Sequence, residues 1–170
     1  MPRVRHRGPP LLSSAAIHSE RRLVVDASPA AVWRTLAAVD DYPGWWPWLR
    51  RFEARALVDG ERWSGTVKPP LPYTVSFDLV LHDVVARRSV AAEVEGEIVG
   101  SARVDLHRHG PGTELALVSD LEPARTFLVG LSRLAAPVAR YGHEFIIDSA
   151  LEQFVAHALE PGRPPGRPTS

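Results

Sequence analysis

The sequence predicts an α+β domain in which a curved antiparallel sheet of about seven strands wraps a long C-terminal helix. Three observations carry this. From Leu49 to Leu121 apolar residues recur every second position and are punctuated by turn residues such as Asp59-Gly60 and Gly110-Pro111-Gly112, which reads as consecutive hairpins. From Ala124 to Leu159 the period changes: Leu131, Leu134, Val138, Tyr141 and Phe145 fall at steps of three and four. Two short helices are expected between the first strand and the hairpins. Such a sheet closed by one helix leaves a space between them, and that space is the default binding site.

Taken in order, residues 1–18 mix Arg, Pro, Ser and Gly without period and read as a disordered arm. Residues 19–160 form one domain, and the Pro/Gly-rich stretch 161–170 reads as a disordered tail. Arg21 to Ala27 is the first strand. Ser28-Pro29 is an N-cap residue followed by proline at the first helical position, so a short helix follows to Val39. Asp40 can cap a second one, kept short by Pro43 and Pro47 and rich in tryptophan at Trp45, Trp46 and Trp48. Phe52 to Val58 and Trp63 to Val67 make the first hairpin. Pro69, Pro70 and Pro72 mark a break. Tyr73, Val75, Phe77, Leu79 and Leu81 then alternate as one strand, followed by Val90 to Val94, Ile98 to Leu106 and Leu115 to Leu121. Pro137 predicts a kink in the long helix around Ser132 to Ala136.

Composition excludes several classes. Twenty basic and twenty acidic residues cancel, so there is no electrostatic footprint for nucleic acid or an anionic membrane. No apolar run has the length of a membrane span. Cysteine is absent, which removes disulfides, thiolate metal sites and thiol nucleophiles and is compatible with a cytoplasmic location. There is no Walker-type loop, nucleophile elbow or dinucleotide-binding glycine pattern, and no cofactor is expected. His107 and His109 with Asp105 sit at a hairpin tip without a fourth ligand, so no metal is expected. Glu93, Glu95 and Glu97 alternate on one strand and read as a solvated face. Nothing in the sequence specifies the oligomeric state.

Several pieces together resemble the START-like, helix-grip superfamily, specifically its polyketide cyclase/dehydrase and lipid-transport group. They are Ser28-Pro29 to Trp33, Tyr42-Pro43-Gly44-Trp45-Trp46-Pro47, Leu71-Pro72-Tyr73 leading into Phe77-Asp78, Gly96 to Ala102, and Ala136 to His143. The resemblance covers about Leu23 to Leu159. The chain departs from one bacterial branch at Gly142 (usually Asn), Ser119 (usually Trp) and Val104 (often aromatic). The resemblance implies an internal apolar cavity, and smaller residues at two of those positions imply a larger one.

The candidate site residues follow. Trp46, Trp48, Trp63, Tyr73, Phe77, Leu117, Ser119, Leu134, Val138 and Tyr141 are expected to contact a ligand. His143 and Tyr73 are the candidates for proton transfer. Three roles are open to His143: acid/base chemistry, ligand contact, or a buried hydrogen bond tying the helix to the first strand. Three functions follow in order. The first is a binding protein for a hydrophobic polyketide, lipid or isoprenoid-like molecule. The second is an aromatic polyketide cyclase/dehydratase using the same cavity. The third is a protein-interaction module with a vestigial cavity.

Overall fold

The computed structural model describes residues 16–124 and 135–158, with side chains for 16–124 and 140–157. The elements are β1 (Ile17–Val25), α1 (Pro29–Ala37), a 3₁₀ turn (Val39–Asp41), α2 (Tyr42–Trp45), β2 (Leu49–Glu53), β3 (Arg62–Val67), β4 (Val75–Val85), β5 (Ser89–Gly96), β6 (Ile98–His109), β7 (Gly112–Pro123) and α3 (Ala135–Ala158). The seven strands form one antiparallel sheet in the order β1-β7-β6-β5-β4-β3-β2. β2 to β7 are consecutive hairpin neighbours, as their alternation predicts. β1 instead crosses to pair with β7, with Ser19 opposite Ser119.

That crossing explains the two short helices. β1 and β2 are the two edges of the sheet, so the chain between them spans its open side. Ser28 Oγ accepts from Ala31 N at 3.2 Å and Pro29 begins α1. Val32 on the inner face of α1 is completely buried. Thr113 Oγ1 donates to Ala27 O at 2.7 Å, tying the start of this crossing to β7.

Tyr42 then anchors α2. Its ring centroid lies 4.7 Å from Trp46, 5.4 Å from Trp45 and Phe52, and 6.0 Å from Trp63. Its hydroxyl donates to Leu36 O, which satisfies the polar end of a buried ring. Burial pushes the phenol pKa up, so it remains a protonated donor. One hydrophobic cluster gathers around these rings and β3–β5. A second joins Val25, Val32, Leu106, Leu115 and Phe154 at the α1 end of the sheet.

Several boundaries differ from those read in the sequence. β1 starts at Ile17 and not at Arg21. His18, Ser19 and Glu20 hide it, because its inward positions include polar residues that meet the helix. β4 runs on to Val85, and Tyr73 lies in the loop before it and not in the strand. Asp41, not Asp40, precedes α2, without a side-chain cap. α3 is described over 24 residues, about 36 Å at 1.5 Å per residue, and the kink expected around Ser132 to Ala136 falls mainly outside the described residues. The earlier part of the expected helix, 125–134, the arm 1–15 and the tail 159–170 lie outside the described residues.

Gly100 is the tightest point in the sheet. Its φ is +143°, and a Cβ there would stand 2.0 Å from Asp120 O on β7. Gly100→Ala is therefore expected to separate β6 from β7 locally and cost about 2–4 kcal/mol, measured by urea unfolding.

Candidate functional site

α3 packs against the concave face of the sheet, with Ile146 and Phe154 joining its two hydrophobic clusters. Between them lies a cavity of about 390 Å³ with apolar walls from all seven strands, α2 and α3. Trp46, Trp48, Trp63, Tyr73, Phe77, Leu117 and Ser119 all line it. Strand parity explains the last three: Phe77 shares its side of β4 with Val75, Leu79 and Leu81, and Leu117 and Ser119 share theirs with Leu115 and Leu121.

The helix presents a different side from the one the sequence suggested. Gly142, His143, Ile146, Ile147, Ala150, Leu151 and Phe154 face the cavity, while Tyr141 is 55% exposed and points away from it. Tyr141 is therefore corrected from a wall residue to a surface one. Both sets of residues satisfy steps of three and four, because α3 carries apolar residues on more than one side. Only the rows of the sheet select between them. Leu134 and the side chain of Val138 lie outside the described residues.

His143 stands over the β1–β7 pair. Its Nε2 is 3.2 Å from Ser19 Oγ and 3.5 Å from Ser119 Oγ, both hydroxyls being buried. Ser19 precedes Arg21, where the sequence reading starts the first strand, which conceals this partner. Counting back by twos from Val25 would have placed it on the inner face. A second link between the same elements is Arg21 Nε to Asp148 Oδ1, at 3.0 Å. Burial lowers the imidazole pKa; Glu144 opposes this and Arg21 adds to it.

Tyr73 reaches the same end of the cavity. A Cβ on Gly142 would be 3.0 Å from the Tyr73 hydroxyl, 3.1 Å from Leu71 Cδ1 and 3.6 Å from Pro69 Cβ. The glycine thus allows the β3–β4 loop to lie directly on the helix backbone, beside His143. Burial raises the Tyr73 pKa, so the phenol stays un-ionised.

At the other end Trp46 Nε1 donates to Ala150 O at 3.3 Å, while Trp45 stacks on His157 with centroids 4.9 Å apart. Trp48 stacks on Trp46 at 5.5 Å. Its indole N–H is buried with no acceptor among the described residues, at a cost of roughly 1–3 kcal/mol. The Trp45–Trp48 segment is thus packed between sheet and helix. Among the described residues no cluster of His, Asp and Glu could hold a metal. The Glu93, Glu95 and Glu97 face lies outside: Glu95 pairs with Arg62 at 2.9 Å, and Glu97 accepts from Ser76 N.

A family model described as polyketide cyclase/dehydrase and lipid transport matches residues 16–159. The chain belongs to this family. Among solved structures it is similar to the Zhui aromatase/cyclase from Streptomyces sp. R1128, with a TM-score of 0.71 and 18% identity over 84% of this chain and 93% of that one. A START superfamily protein from Mycobacterium smegmatis gives 0.65 and 12%, over 83% and 96%. Norcoclaurine synthase from Thalictrum flavum, in complex with dopamine and hydroxybenzaldehyde, gives 0.57 and 14%, over 88% and 90%. At these identities the likeness is one of fold. Curated protein sequences contain no match. No helix among the described residues is long and apolar enough to cross a membrane.

Two measurements check this geometry. Gly142→Ala gains about 1 kcal/mol of helix propensity and loses a similar amount by pushing Tyr73 and Leu71 away. Stability should change little, while hydrogen exchange of residues 69–74 accelerates. For His143 the sign is set by linkage. The unfolded imidazole titrates near about 6.5 and the folded one lower, so between the two the unfolded state binds more protons. Stability should therefore fall as pH drops below about 6.5, and His143→Gln should show a flatter melting temperature over that range.

Proposed function

We propose that this chain binds a hydrophobic small molecule, such as a polyketide, lipid or isoprenoid-like compound, between the sheet and α3. The observation that carries the reading is the cavity of about 390 Å³ with apolar walls from every strand. Its size falls within the range of small-molecule pockets. A ligand burying ~300 Å² of apolar surface there would gain roughly 7 kcal/mol before the cost of association, at about 25 cal/mol per Å². The family's description agrees with this use. A cytoplasmic location is part of this proposal, and the lack of cysteine is compatible with it.

A second reading, proton transfer of the cyclase/dehydratase kind, draws support from one arrangement. Neutral His143 can accept a proton, and the un-ionised Tyr73 hydroxyl, at the same end of the cavity, can donate one. Binding and turnover are separable: a carrier keeps its ligand in His143→Ala, whereas an enzyme keeps the ligand and loses conversion. A protein-interaction role for Trp45–Trp48 has less support, because these indoles are partly buried in the core clusters.

The direct test is native mass spectrometry of the purified protein, followed by extraction of any retained compound. Val104→Phe then probes the cavity itself, since Val104 lines it. The variant should stay folded and lose about tenfold in affinity for a bulky apolar dye, because the ring occupies the ligand's space. Unchanged dye binding would place that binding outside the cavity.

A further inference from the structure

The hydroxyl and imidazole groups around the cavity gather at one end, while the other end offers the indole N–H of Trp48. Ser119 and His143 line the first end, with Ser19 behind them, and the Tyr73 hydroxyl lies beside Gly142. Serine and tyrosine hydroxyls are uncharged at neutral pH, and among the described residues the imidazole contacts two hydroxyls and no carboxylate. Among the described lining residues Arg103 and Glu122 carry charge. Arg103 is exposed and held by Asp105, with Nε on one oxygen and Nη2 on the other, both at 2.8 Å. Glu122 is half-buried beside Leu121 near the end of β7. Arg21, the other cation near His143, is tied to Asp148.

A carboxylate seated against Ser119 and His143 would be a buried charge with no counter-ion among the described residues. A hydroxyl or carbonyl would exchange its hydrogen bond to water for one to a hydroxyl or imidazole, at little cost. We infer that the cavity takes an uncharged apolar molecule bearing one hydroxyl or carbonyl oxygen, seated against Ser119 and His143, and discriminates against the carboxylate of the same skeleton. This rests on the cavity being a small-molecule site.

Naphthalene, naphthol and naphthoate share one skeleton and separate the two ideas when titrated calorimetrically into the full chain at neutral pH. Naphthol is expected to bind more tightly than naphthalene and at least about tenfold more tightly than naphthoate, a difference of about 1.4 kcal/mol. Ser119→Ala and His143→Phe should bring naphthol down to the affinity of naphthalene, whose own binding changes less than about twofold. Naphthoate binding as well as naphthol, or naphthol no better than naphthalene, overturns the inference and leaves the cavity reading intact. Binding of none of the three overturns both. Should thermal melting show His143→Phe to be unfolded, Ser119→Ala alone decides: naphthol keeping its full advantage there refutes the anchor.

Discussion

The C-terminal helix lies across the curved sheet with a cavity between them, and it is held by contacts placed around that space. Near one end His143 meets Ser19 and Ser119, and Arg21 meets Asp148. Near the other, Trp46 donates to Ala150 O and Trp45 stacks on His157. Close packing would normally remove a void of this size, because unfilled apolar volume costs stability. Here the backbone prevents collapse. β1 and β2, the two edges of the curled sheet, are held apart by the strands between them, and α1 and α2 brace the open side.

The aromatic cluster around Tyr42 provides much of that bracing. Its hydroxyl is satisfied inside the protein by Leu36 O, so the ring can sit within the core and still support Trp45, Trp46, Phe52 and Trp63. This packing positions Trp46 and Trp48 along the cavity wall. The same tryptophans therefore stabilise the fold and shape its interior, and the two roles cannot be separated by composition.

The cavity is chemically uneven. Most of its wall offers only apolar contact, while hydroxyls and one imidazole collect where β1, β7 and α3 meet. Gly142 brings the β3–β4 loop to the same place, since any side chain there would displace Tyr73 or Leu71. Affinity in such a site would come from burial and orientation from the few polar atoms.

The sequence by itself determined the class of fold, the hairpin order, and the inward parity of Phe77, Leu117 and Ser119. These depend on local periodicity and turn chemistry, which need no distant partner. It could not determine which side of α3 faces inward. Tyr141 and His143 both fit a helical stripe, and the exposure of one and the burial of the other follow from the shape of the sheet. Nor could it pair Ser19 with His143 across more than a hundred residues, because a serine in a polar stretch carries no local signal of burial. Tyr73 reads as a strand residue until the loop is seen lying on Gly142. Tertiary structure alone decided these, because each depends on surfaces that meet only after the sheet has curled around the helix.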